Sequence, residues 1–356
     1  MNIVILGASA LATAQRLKAL YPQAVINGLR GRADGAERHY ADFGDHLRAL
    51  YHEGQPLLVL CAAGIVIRSL AALLAEKGTE PPVLALAEDG SAVVPLLGGL
   101  AGVNRLAREI AAHLGVTPAI TTSGELRFGT CLLEPPAGYT LADLQQGKRF
   151  VSDLLGGESV RIEGQAPWLD DAQLPVDKAA SRVIHITAEQ RPPRTDELLI
   201  HPRVAAALIE RPDADLPTRL QQALSDAKLA PQALACLLAD KHWMANAELH
   251  EAAAGLNLPL RFIHSTSALP IEHHAGDGLR LLLGEQPLDI ERLGQRRGRL
   301  SVVGLGPGAA EHMTPAVRRA LDEAEDLLGY DTYVKMAGPL RADQCLHPSD
   351  NREELQ

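Results

Sequence analysis

The chain has 356 residues, 46% apolar and 22% charged, with a formal net charge of −10 at pH 7. At about 150 residues per domain this length suggests two or three domains of an ordinary globular protein. The acidic balance and the 3% aromatic content argue against nucleic acid as a partner, which would need basic surface and stacking platforms.

Residues 2–6 read as a strand ending in Gly7-Ala8-Ser9, with Ser9 capping a helix over 10–20 that Pro22 stops. Gly7 stands alone, so the glycine fingerprint of dinucleotide folds is absent. Residues 25–54 are polar and turn-rich. Arg30 and Arg32 lie there among glycines, as a loop that is simply solvated or one that holds a carboxylate or phosphate.

Residues 57–125 organise the chain. Apolar runs of strand length at 57–62, 83–87 and 119–121 alternate with helical spacing at 65–76 and 101–113. This pattern predicts an α/β domain with a parallel sheet covered by helices. Ligands in such sheets bind beyond the carboxyl ends of the strands. Those ends are Ala63-Gly64, Glu88-Asp89-Gly90 and Thr121-Thr122-Ser123-Gly124. The glycine-rich run from Gly98 to Asn104 opens a helix, suited either to an anion or to close packing.

This first α/β domain is placed at 1–137. A loop-rich middle module with recurring prolines is expected at 138–200, and a second small α/β domain at 201–290. Histidines 242, 250, 264, 273 and 274 fit no metal spacing and read as surface residues. Cys61, Cys131, Cys236 and Cys345 form no Cys-x-x-Cys pair, so no metal site is expected. A charged linker closes this part near 289–299. Residues 300–303 then read as a strand running into Gly304-Leu305-Gly306-Pro307-Gly308. A helix begins at Thr314-Pro315 and ends at Gly329, and a strand is expected over 329–334. No basic leader opens the chain, and no apolar run reaches the roughly 20 residues that cross a bilayer. A cytoplasmic protein without a membrane partner is expected.

The motif VVGLGPGAAEHMTP, with LGYDTYVKMAGPL and QCLHPSDNREELQ after it, resembles the opening of a tetrapyrrole methylase. Within that family it is most similar to the precorrin-3B C(17)-methyltransferases of vitamin B12 synthesis, over residues 299–356. The resemblance implies S-adenosylmethionine as cofactor, with Gly304, Gly306, Pro307 and Gly308 on the floor of its cleft. It also implies homodimers, and it makes 299–356 a truncated first lobe. Residues 1–135 resemble the cobalt-precorrin-5A hydrolases through Gly64 to Arg68, Lys77 to Pro81, Gly98 to Asn104 and Thr121 to Glu125. That family opens a corrinoid lactone and releases a two-carbon aldehyde, so water must be activated and an acyl oxygen polarised. The resemblance places Lys77, Glu88 and Glu125 as catalytic candidates. Gly64, Arg68, Gly98, Asn104, Thr121 and Thr122 would bind the corrinoid or precorrin substrate. Gly99 stands where the family has histidine, Ala-Leu-Ile-Glu-Arg-Pro at 207–212 replaces a Gly-x-Gly-Cys turn, and Met244 replaces an acidic residue. These departures raise an alternative, a corrinoid carrier without chemistry of its own.

Overall fold

The computed structural model describes residues 1–74, 80–263, 271–275 (backbone only), 278–305, 312–338 and 344–349. It is a mixed α/β protein with several mostly parallel sheets. Its contacts divide it into two units, Met1–Ala119 with Arg299–Gln356, and Ile120–Gly298.

The first sheet is built from β1 (Asn2–Ile5), α1 (Leu11–Leu20), β2 (Val25–Leu29), β3 (Arg38–Tyr40), α2 (Phe43–His52), β4 (Leu57–Leu60), α3 (Ala63–Leu70), β5 (Val83–Leu86), β6 (Val93–Leu97) and α4 (Val103–Leu114). The strand order is β3-β2-β1-β4-β5-β6, parallel throughout except that β6 runs against β5. Strand side chains alternate between faces, and the continuous apolar runs serve both. Ile3, Ile5, Leu58 and Leu60 pack with α1 and α4, whereas Val4, Leu57 and Val59 pack with α2 and α3. Each fully buried leucine or isoleucine contributes about 1.5–3 kcal/mol.

Three expectations for this unit are corrected. Residues 25–54 are not one loop but β2, β3 and α2. Asn27 made β2 look polar, yet it is fully buried. Its amide donates to the Val25 carbonyl at 2.9 Å and to Asn2 Oδ1 at 3.2 Å, and His46 Nε2 lies 3.1 Å from its Oδ1. Gly28 is there for space, since a Cβ would meet those of Ala36 and Ala33 at 2.5 and 2.8 Å. Secondly, Ser9 caps no helix, because a 3-10 turn at Ala8–Ala10 precedes α1 and Ala10 occupies the cap position. Thirdly, 119–121 is no strand. The edge position belongs to β6, which Pro95 had disguised and which an edge strand tolerates. Only Pro118 bridges Val93, and the Ala119 amide donates to the Val93 carbonyl at 2.9 Å.

The second unit opens with α5 (Ser123–Phe128), β7 (Tyr139–Leu141), α6 (Leu144–Leu155), β8 (Val160–Glu163), β9 (Arg182–Ile186) and β10 (Glu197–Pro202). Its strands are ordered β7-β10-β9-β8, with β7 antiparallel, and Phe128 and Phe150 lie in the core. Then come β11 (Ala205–Ile209), α7 (Leu216–Asp226), β12 (Leu234–Asp240), α8 (Ala247–Gly255), β13 (Leu260–Ile263), β14 (Ile271–Ala275) and β15 (Leu279–Leu283). This sheet is ordered β13-β12-β11-β15-β14, its first three strands parallel.

The last segment holds α9 (Pro315–Glu323), β16 (Asp326–Tyr330), α10 (Asp331–Met336) and β17 (Cys345–Ser349), with β16 and β17 parallel. Thr314 caps α9 as read from the sequence, its Oγ accepting from the Val317 amide at 3.3 Å. Two readings fail here. Residues 300–303 form no strand, and Leu300 and Val302 are 86% and 92% exposed. The helix stops at Glu323, so Leu327 and Leu328 lie in β16, and 331–334 is helical rather than extended.

Gly98 has φ +82°, and a Cβ there would sit 2.6 Å from the Pro81 carbonyl oxygen. Gly115 has φ +75° and open space around it. Gly98→Ala is therefore expected to lower stability by about 2 kcal/mol or more and Gly115→Ala by about 1 kcal/mol. Equal shifts of the two denaturation midpoints would contradict this.

Candidate functional site

Four of the five parallel strands, β2, β1, β4 and β5, deliver their carboxyl ends side by side to one edge of the first sheet. The crevice of such a sheet opens where the chain changes direction of winding, here between β1 and β4. Gly7-Ala8-Ser9 follows β1, Cys61-Ala62-Ala63-Gly64 follows β4, and Ala87-Glu88-Asp89-Gly90 follows β5.

Ser9 and Glu88, 79 positions apart, meet at this edge. The Ser9 hydroxyl donates to Glu88 Oε2 at 2.6 Å, and Thr13 Oγ donates to the Glu88 carbonyl at 2.7 Å. Gly90, with φ +77°, closes the turn by donating its amide to the Ala87 carbonyl at 2.9 Å. Glu88 is thus an exposed carboxylate on a tied loop, with one oxygen engaged and the other without a partner among the described residues. Asp89 beside it is held below the usual carboxylate range by Ser91, whose amide donates to it at 2.9 Å.

Gly64 lies in the first turn of α3, whose amides point outward at the positive end of the helix. Arg68 folds back over that turn, and a Cβ on Gly64 would lie 3.3 Å from its Nη1. Arg30 and Arg32 follow β2 at the same edge, and both are exposed. None of these three guanidiniums has a hydrogen bond or ion pair among the described residues. The edge therefore combines one oriented carboxylate with three available cations and a helix start. That set can activate a water and hold carboxylate groups.

Other candidates lie elsewhere. Because β6 is antiparallel, Leu97 pairs with Val83, the first residue of β5, and places Gly98 at the amino-terminal edge of the sheet. Asn104, buried in the first turn of α4, follows at that edge. Thr121, Thr122 and Glu125 belong to the second unit. Both threonines are exposed just before α5, while Glu125 is only 4% exposed inside it. Glu125 raises the Cys131 thiol, which burial and that carboxylate together push up to about 11. Lys77, Gly306, Pro307 and Gly308 lie outside the described residues. Gly304 is exposed, with open space where a Cβ would stand.

Sequence reasoning missed Ser9, taken for a helix cap. Its signal was its position right after the first strand, where a parallel sheet presents its crevice. It read His242 as a surface residue and did not single out Asp240, the last residue of β12, which meets His242 at 2.7 Å. Among the described residues no group of three or more His, Cys, Asp or Glu side chains could hold a metal, and no helix is long and apolar enough to cross a membrane.

Cys61 tests the geometry. Burial, then the Glu88 carboxylate, push its thiol up to about 11. Removing that negative charge makes the thiolate easier to form. Glu88→Gln is expected to speed alkylation of Cys61 at pH 8, read by mass spectrometry, while Cys236, pushed up to about 12 by burial, stays slow. An unchanged Cys61 rate would place Glu88 away from it.

Residues 45–125 match the family model described as cobalamin synthesis G N-terminal. A cobalt-precorrin-5A hydrolase from Salmonella typhimurium is 26% identical over 291 residues, covering 74% of this chain and 82% of that protein. A cobalt-precorrin-5A hydrolase from Priestia megaterium is 34% identical over 82 residues, 23% of this chain and 22% of that protein. A precorrin-3B C(17)-methyltransferase from Sinorhizobium sp is 48% identical over 58 residues, 16% of this chain and 22% of that protein. Methyltransferase relatives imply S-adenosylmethionine in general. Residues 300–305 are irregular and mostly exposed, and the rest of the glycine loop lies outside the described residues. The chain is thus similar to proteins of cobalamin biosynthesis: to the cobalamin synthesis G N-terminal family over residues 45–125, to a cobalt-precorrin-5A hydrolase over most of its length, and in part to a precorrin-3B C(17)-methyltransferase, a pattern consistent with a fusion.

Proposed function

We propose that this chain opens the lactone ring of a corrinoid precursor at the carboxyl edge of its first sheet. The observation that carries the reading is the Ser9–Glu88 bond at 2.6 Å. It fixes a carboxylate where a doubly wound sheet binds its ligand. In this reading Glu88 takes a proton from water through its open oxygen. The hydroxide adds to the lactone carbonyl carbon, and the ring C–O bond breaks. The alkoxide that leaves recovers the proton from Glu88. Arg68 and the start of α3 stabilise the charge that develops on the acyl oxygen. Arg30 and Arg32 hold carboxylate arms of the macrocycle.

A carrier without chemistry is the weaker reading. Pure binding needs no carboxylate oriented by a hydroxyl, and the hydrolase similarity runs along 82% of the Salmonella protein. The wider proposal keeps the four-part division at 1–137, 138–200, 201–290 and 299–356. It also keeps a cytoplasmic location, dimerisation, and S-adenosylmethionine as the donor used by a methyltransferase partner domain. No step is assigned to that donor here.

Glu88→Gln is expected to lower kcat on the authentic lactone by about 100-fold or more and to leave corrinoid binding within a few-fold. Full turnover by that variant would refute the role of Glu88. Arg68→Gln should lower kcat by about tenfold or more and leave KM within a few-fold, since the charge it meets develops only in the transition state. An unchanged kcat would remove Arg68 from the site.

A further inference from the structure

The second unit has its own crevice. A cavity of about 170 Å³ lies beyond the carboxyl ends of the parallel strands β11, β12 and β13, floored by Leu208, Ile209 and Ile263. Two ion pairs line it. Arg280 of β15 meets Glu210 at 2.8 Å, and His242 Nδ1 meets Asp240 Oδ1 at 2.7 Å.

The second pair has a defined geometry. Asp240 ends β12 and caps the 3-10 turn Lys241–Trp243, accepting from the His242 amide at 2.9 Å as well as from its ring. These two hydrogen bonds keep Asp240 well below the usual carboxylate range. A carboxylate on Nδ1 fixes the proton there and leaves Nε2 as the basic nitrogen. The Trp243 ring, 4.5 Å from that of His242, adds an aromatic wall. Among the described residues, the charged groups that line the cavity with the imidazole are Asp240 of its own segment, Glu210 beyond β11 and Arg280 on β15, and Lys241 precedes it in the same turn.

We infer that Asp240 and His242 form a general-base pair, and that this cavity hydrolyses small uncharged esters. His242 Nε2 takes a proton from water, and the hydroxide oxygen bonds to the acyl carbon. The carbonyl electron pair moves onto its oxygen, stabilised by Arg280. The carbonyl then reforms, the ester C–O bond breaks, and the leaving alcohol takes the proton back from the imidazolium. An acyl group and a short alcohol or ring would rest on the apolar floor and on Trp243. This second activity goes beyond the lactone reading. It is probed with a small ester and through His242, so its failure and that of the Glu88 site are separate results.

The probe is 4-nitrophenyl acetate, followed by nitrophenolate release across pH with the full chain. His242 is 62% exposed, so its replacement leaves the fold intact, checked by circular dichroism. His242→Gln is expected to lower kcat/KM at least tenfold. Asp240→Asn loses the carboxylate that holds the ring at 2.7 Å, so it should lower kcat at least tenfold and leave KM within a few-fold. A rate unchanged in His242→Gln, or a kcat unchanged in Asp240→Asn, would overturn the assignment.

Discussion

β1 is hydrogen-bonded on both flanks, to β2 and to β4, in parallel register from Asn2 to Ile5. That pairing sets everything at the edge of the first unit. It brings the loop after residue 5 between loops that follow residues 29 and 60. It leaves all four strand residues buried, so the ladder sits in a dry interior where its hydrogen bonds cannot exchange with water. Tyr40 reinforces the join, its hydroxyl donating to the Ile5 carbonyl at 2.7 Å. The Ser9–Glu88 contact is made within this frame across the end of β4, because a parallel sheet gathers the carboxyl ends of β1, β4 and β5 at one edge whatever their distance in sequence.

The reversal of β6 is the second constraint. It ends the sheet with an antiparallel edge strand and sends the glycine-rich run at 98–104 to the opposite side from Glu88. The same design recurs in the second unit, where β15 runs against β11 and the cavity lies beyond the parallel strands. In both sheets polar groups gather at the carboxyl edge. Gly98 and Gly28 serve packing, because a Cβ at either would collide with backbone or neighbouring methyl groups.

Much of the first unit was legible in the sequence. β4, β5 and α4 were visible because uninterrupted apolar runs and helical spacing survive in the one-dimensional pattern. β2 was not, because Asn27 and Gly28 look like a turn until the partners of Asn27 are known. β6 was hidden by Pro95, which only an edge position permits. Around 300–336 the glycine pattern predicted a strand that the structure does not form, and Leu327 and Leu328, read as one face of a helix, pair in β16. Of the site, Gly64 and Glu88 could be named from strand ends, and Arg68 from the resemblance to the hydrolases. Ser9 could not, because its partner is chosen by topology. The separation of Gly98 and Asn104 from Glu88 depends on strand direction, which no apolar pattern encodes.

Hydrogen exchange of the backbone amides, with and without a bound corrinoid lactone, tests the central claim most directly. The account predicts new protection in the segments 7–9, 30–32 and 87–90 and at the start of α3 (62–68), which share one edge of the first sheet, and little change at 98–104. Protection concentrated at 98–104, with those four segments unaffected, would contradict it and move the corrinoid to the other side of the sheet.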